Sequence, residues 1–141
     1  MNPRFGPEQV NIVLLILRIG VAVMMLVHGL PKLEMLLSGE AIEFPAVMGM
    51  SPALSLILAV FAEVLCSLLI LFGFGTRLAT IPLIITMLVA VFYFHASDPF
   101  AVQELGLHYL LAYIGLLILG SGKYSLDAYL LKQLEQKLEK A

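Results

Sequence analysis

The stretch that decides the fold is Val10–Leu30, VNIVLLILRIGVAVMMLVHGL: 21 residues interrupted by polar groups only at Asn11, Arg18 and His28. A bilayer core takes roughly 20 apolar residues per helical crossing, so this run is long enough to span one. Runs of the same kind follow at Ala53–Phe72, at about residues 77–95, and at about residues 99–121. Composition agrees. Of 141 residues, 61% are hydrophobic and 13% charged, against about half and a quarter in a soluble domain. Mean hydropathy is +1.01. The reading is all-α: a single membrane domain over residues 1–141, built as a four-helix integral membrane bundle.

Local signals divide the spans. Pro31 is expected to end the first helix, because proline has no amide donor and disfavours a helical residue before it. The segment 32–52 alternates Glu34, Glu40 and Glu43 with Met35, Leu36, Phe44 and Val47. It is too apolar for a free loop and too short to cross, so it is expected to form an interfacial hairpin or short helix lying on the bundle. Ser51-Pro52 reads as a helix start and Gly73 with Gly75 as a stop. Pro82 suggests a kink in the third helix, and Ser97 or Asp98 a cap for the fourth. Residues 125–140 place Leu126, Leu130, Leu134 and Leu138 four apart with lysines on the other faces, an amphipathic helix suited to a membrane surface.

Charge placement orients the bundle. Arg4, Arg77, Lys123, Lys132, Lys137 and Lys140 fall at the end that carries both termini, and only Lys32 at the other. The positive-inside rule then makes both termini cytoplasmic. Residues 1–9 lack the basic start and cleavage site of a signal peptide, so the first span is expected to be retained. Tyr124 and Tyr129 would mark the inner boundary, Tyr93 and Tyr109 the outer.

Ionisable groups inside spans are costly and tend to face a cavity or each other. Counted from the apolar boundaries, Arg18 lies about 12 Å and Glu63 about 14 Å from the inner surface at ~1.5 Å per residue. The matched depths predict a buried Arg18–Glu63 pair. His28, His95 and His108 gather toward the outer half with Lys32, Asp98 and Glu104. Glu104 and His108, four apart, share a helix face that continues through Ala112 and Gly115. His28, Lys32, His95, Glu104 and His108 are the candidate ligand-binding residues. A quinone site, a metal or haem site, and histidines simply satisfied by water all stay open, with no HxxxH pair to favour metal. Cys66 is the one cysteine, which excludes a CxxC relay within the chain. Nothing resembles a Walker loop, a Ser-His-Asp arrangement or a nucleic-acid motif.

Three blocks resemble the DoxX family of small membrane proteins. They are Leu17-Arg18-Ile19-Gly20 with His28-Gly29-Leu30-Pro31-Lys32-Leu33, Phe61-Ala62-Glu63 with Gly73-Phe74-Gly75-Thr76-Arg77, and Gly120-Ser121-Gly122-Lys123-Tyr124-Ser125-Leu126-Asp127. The last is similar to the family's closing G-x-G-x-x-S-x-D motif. The resemblance implies four membrane helices and makes Gly29, Arg77, Gly122, Ser125 and Asp127 family-motif positions. It also implies a bacterial-type inner membrane and a quinone-interacting subunit of a membrane redox complex, in a quinone-linked oxidoreductase if an enzyme at all. A redox partner protein, membrane lipid and a second copy of the chain are the expected partners, and quinone the candidate cofactor. A structural or assembly subunit and a small oligomeric transporter are the alternatives. The four-helix plan of quinone-linked disulfide-forming enzymes does not apply, because those need cysteine pairs.

Overall fold

The computed structural model describes residues 6–140, which form five helices and, among the described residues, no strand. Helix α1 is Pro7–Leu37, α2 Pro52–Phe72, α3 Thr76–Phe94 and α4 Phe100–Leu119. These four are long and apolar enough to cross a membrane, with mean hydropathies of 2.6, 2.7, 2.0 and 1.6. The fifth, α5, is Leu126–Glu139. Arg4, part of the charge bias, lies outside the described residues.

Local chemistry sets most of the boundaries. Gly6 precedes Pro7 at the first turn of α1, and its amide donates to Gln9 Oε1 at 2.9 Å. Ser51 caps α2 by accepting from the Leu54 amide at 3.2 Å, with Pro52 at the first helical position. Gly73, at φ 71°, closes α2: its own amide reaches Ile70 O at 3.0 Å and the Phe74 amide reaches Leu69 O at 2.9 Å. That doubled C-terminal bonding needs a left-handed residue, which glycine supplies without strain.

The expected stop at Pro31 does not occur. The helix runs on to Leu37, and Leu33, Met35 and Leu36 pack with Leu56, Val60 and Val64 of α2. One missing backbone bond is outweighed by that burial, as is common for proline within membrane helices. Residues 38–51 form no helix either. They run as an irregular strap whose Ile42 and Phe44 join the same apolar cluster. The strap is pinned where the Val47 amide donates to Ser55 Oγ at 3.1 Å, and it turns through Met48 and Gly49, at φ 52° and 77°. Neither Ser97 nor Asp98 caps α4; Pro99 precedes its first turn with no side-chain cap.

The main core is shared by all four long helices and is built from Val21, Ala22 and Met25 of α1, Ile70 of α2, Leu83 and Met87 of α3, and Tyr113 and Leu116 of α4. Two helices depart from α geometry. Residues Phe61–Cys66 of α2 and Ala90–Phe94 of α3 are π-helical turns, in which each amide reaches five residues back. Single-turn π segments cost hydrogen-bond geometry and occur often at functional sites.

Candidate functional site

At the end of the bundle that carries both termini, α1 and α2 bring Arg18 under the last turn of α2. Arg18 is 2% exposed. Its Nε donates to Ile70 O at 3.1 Å and Nη2 to Leu71 O at 3.3 Å, while Nη1 donates to Ser121 O at 2.5 Å and Tyr124 O at 3.1 Å. Arg18 therefore closes the C-terminal end of α2, where carbonyls lack intrahelical donors and the helix dipole favours a cation. Gly73 makes room for it, since a Cβ there would lie 2.6 Å from Nη1.

The motif after α4 completes this end. Gly120 and Gly122 have positive φ, 80° and 74°. Ser125 caps α5 by accepting from the Ala128 amide and donates to Gly122 O at 2.7 Å. Asp127 Oδ1 accepts the Gly75 amide at 2.9 Å. Arg77, exposed, donates to Ile118 O at 3.1 Å. These motif positions lock one loop onto two helix ends.

Glu63 does not pair with Arg18. Its carboxylate, 4% exposed, takes Lys32 Nζ at 2.5 Å and 2.6 Å on its two oxygens. Depths counted from the apolar boundaries misplaced the two groups. The residue of α1 level with Glu63 is Gly29, whose added Cβ would meet the Glu63 backbone and Cβ at 3.0 Å. Arg18 is eleven residues back along α1, about 16 Å at ~1.5 Å per residue. Because α1 continues through Pro31, Lys32 stays helical and reaches back to the carboxylate.

The Lys32–Glu63 pair lies between two cavities. One, of about 190 Å³, is also lined by His28, His95, Gln103, Gly106 and Tyr109. The other, about 420 Å³, lies beneath the strap and is walled by Phe44, Met48, Leu58, Ile85 and Phe94. Lys32, Glu63, Ala90 and His95 line both. Each π turn contributes to this place, Glu63 from the first and Ala90 from the second. His28 meets Tyr109 edge to face, ring centroids 5.9 Å apart, and the Phe44 ring lies 5.9 Å from Lys32 Nζ.

Of the candidate ligand-binding residues, the fold brings His28, Lys32 and His95 to this place. Glu104 and His108 are exposed and line neither cavity. Their four-residue spacing does put them on one face of α4, but it is the face turned away from the bundle. The inward face carries Gln103, Gly106, Tyr109 and Tyr113. The close approach lies there too, at Gly106, where a Cβ would come within 2.5 Å of Val91 Cγ2, whereas Gly115 faces open space. Tyr109 is accordingly a core residue, 6% exposed, and not a boundary marker. Because α4 is apolar on nearly every face, periodicity gives no inward direction; Gln103 was not singled out from the sequence, and Tyr109 was read as a boundary residue. Among the described residues no three His, Cys, Asp or Glu side chains are grouped to hold a metal ion.

A family model for DoxX matches residues 13–96, more than half of the chain. The chain belongs to the DoxX family. It matches no curated protein and no solved structure. The matched span of this DoxX protein holds Arg18, Gly29, Lys32, Glu63 and both π turns; the closing loop, α4 and α5 lie beyond it.

Proposed function

We propose that this DoxX protein binds a quinone headgroup at the Lys32–Glu63 pair and serves as a quinone-interacting subunit of a membrane redox complex. One observation carries the reading: a buried carboxylate and its partly exposed ammonium join a cavity lined by His28, His95, Gln103 and Tyr109 to a larger, mostly apolar cavity under the strap. A lipid-soluble quinone has that division, a ring with two oxygens and an apolar tail. Ligand sites commonly pair apolar walls with a few placed polar groups. When bound, such a molecule supplies two-electron, two-proton chemistry. Lys32 would donate to one ring oxygen, Glu63 would balance the ammonium charge, and His28 and Tyr109 would line the ring. Electron exchange falls to a partner protein or a bound cofactor. The six-to-one lysine and arginine bias supports both termini on the cytoplasmic side of a bacterial-type inner membrane.

The test is equilibrium binding of a short-chain quinone analogue to detergent-solubilised protein. The wild type is expected to bind. His28→Phe, and the double change Lys32→Met with Glu63→Leu, are expected to lose binding while keeping a cooperative melt. His108→Phe, on the outward face, is expected to bind as the wild type does. A wild type that binds nothing, or a loss confined to His108→Phe, overturns the reading.

A second reading, an assembly subunit, draws on α5. None of its residues is buried, and Leu126, Leu130, Leu134 and Leu138 lie exposed. Such a face suits lipid or a partner, and it is compatible with the quinone site at the opposite end.

A further inference from the structure

The outward faces of α1, α2 and α3 are built from apolar side chains such as Ile16 and Val23, Phe61 and Leu68, Ile85 and Leu88, all exposed. The outward face of α4 differs. It carries Glu104, His108, Leu111, Gly115 and Ile118, three or four residues apart and so in one strip along the helix. Glu104 and His108 are exposed, as are Leu111 and Ile118 further along. Nothing lies within 4 Å of a Cβ built on Gly115.

Neither kind of residue suits a face turned to lipid. His108 is eight residues, about 12 Å, from the first residue of α4. The next residue, Tyr109, meets His28 of α1 and lines the cavity that Glu63 lines, so His108 lies at the level of that cavity and not at the helix end. Ionisable groups inside spans face a bundle interior or a cavity, or pair with one another. Among the described residues the ion pairs are Lys32–Glu63, His95–Asp98 and Lys123–Glu8, and Glu104 and His108 belong to none. Glycine weakens a helix relative to alanine, so a glycine that admits no neighbour is unexplained within one copy. Gly106 admits the Val91 side chain; Gly115 admits nothing. Between membrane helices, such a glycine lets a second backbone come close.

We propose that this strip of α4 packs against the same strip of a second copy. Both copies insert with the same topology, so the two helices run parallel about a two-fold axis along the membrane normal. The strip carries an acid and a base together, which makes it complementary to itself. Glu104 of each copy meets His108 of the other, the reciprocity that a two-fold interface requires. Helical side chains lean toward the N-terminus, so His108 reaches back toward the level of Glu104 on its parallel neighbour. Deeper in, the two Gly115 positions let Leu111 and Ile118 interdigitate. The cavity that α4 helps to line is on its inward side, so each copy keeps its own, and the inference stands apart from the quinone reading.

Cysteine cross-linking of the full chain in cell membranes tests this. Leu111→Cys and Ile118→Cys are each expected to give, on mild oxidation, a disulfide-linked dimer of twice the 15.4 kDa chain mass. The wild type, whose cysteine is buried, and Leu88→Cys on the outward face of α3 are expected to give none. In detergent, sedimentation equilibrium is expected to show the dimer dissociation constant rising at least about tenfold for Gly115→Leu, for Glu104→His and for His108→Glu. The exchange that combines Glu104→His with His108→Glu rebuilds the pair and is expected to recover the wild-type value. Gly115→Leu has open space around it and is expected to keep a cooperative melt; should it fail to fold, the exchange still decides. No cross-link from either α4 position, a dimer formed as readily from Leu88→Cys, or an exchange no better than the single changes overturns the inference. So do adducts with other proteins in place of the homodimer.

Discussion

The two ends of the bundle solve the burial of charge in opposite ways. At the terminus-bearing end a cation is buried with no carboxylate bonded to it: Arg18 spends its donors on four carbonyls, from Ile70, Leu71, Ser121 and Tyr124. At the strap end an anion is buried and its partner is not, since Glu63 is 4% exposed and Lys32 29%. Close packing surrounds the first, with Gly73 and Gly122 admitting neighbours that a Cβ would exclude. Cavities and π turns surround the second. A guanidinium that gives four of its five N–H donors to backbone carbonyls is a fastening. A carboxylate held by one partly exposed ammonium beside open space has room to exchange partners.

This difference predicts that the largest effect in the molecule comes from Arg18. Arg18→Met removes four bonds to a charged donor, each worth about 1.5–3 kcal/mol, and leaves carbonyls of two segments without partners. Total stability of native proteins is about 5–15 kcal/mol, so the variant is expected to yield little folded protein on size-exclusion chromatography. Arg18→Lys is expected to rescue only in part, because an ammonium has three donors and no fork. A monodisperse Arg18→Met protein with unchanged melting would break the comparison at this end.

Why Arg18 was legible as important but not as a fastening is a matter of scale. The apolar runs are about as long as a bilayer is thick, so four helices can be counted from composition, and Ser51, Pro52 and Gly73 mark boundaries through chemistry confined to one turn. Depth across two helices is not local. It depends on how far each helix projects beyond its apolar run, and α1 begins at Pro7 and continues past Pro31 to Leu37. That extension moved Lys32 onto Glu63 and left Arg18 to the end of α2. The carbonyls that receive Arg18 carry no sequence signal at all, since every residue has one. At the strap end His28, Lys32 and His95 were legible as polar groups beside apolar runs. Gln103 and Tyr109 were not legible as cavity residues, and Glu104 and His108 took their place, because a helix apolar on nearly every face does not declare its inward one.

The next largest effect should separate the partners of the strap-end pair. Lys32→Met strands a buried carboxylate, which typically costs about 3–5 kcal/mol. Glu63→Gln leaves an ammonium that is already partly exposed and can turn to water, so its cost should be distinctly smaller. The expectation is a much lower melting temperature in detergent for Lys32→Met than for Glu63→Gln. The double change Lys32→Met with Glu63→Leu should recover most of the loss, because two apolar groups leave nothing unpaired. Equal losses in the two single variants would mean that Lys32 is as firmly held as Glu63, and the contrast between the ends would lose its basis.

The smallest effect sharpens the comparison from the terminus-bearing side, where a cluster on the solvent face should behave unlike either buried charge. Glu8 accepts from Lys123 Nζ at 3.1 Å and from the Tyr124 hydroxyl. The bond to Glu8 holds both the Lys123 ammonium and the Tyr124 hydroxyl above their usual pKa ranges. A group whose pKa is raised by folding contributes stability that is fully present below its unfolded value, near 10 for both. The contribution is lost as pH rises through the higher folded value. Glu8→Gln should therefore lower the melting temperature slightly at neutral pH, and the gap from the wild type should close above about pH 10. Being exposed, the cluster is screened, so added salt should shrink the gap at neutral pH as well. Lys32 and Glu63 answer to salt much less, because their attraction runs through the protein interior. A Glu8→Gln gap that ignored salt and persisted in alkali would make this surface cluster as deeply coupled to the fold as the buried pair, which its exposure to solvent argues against.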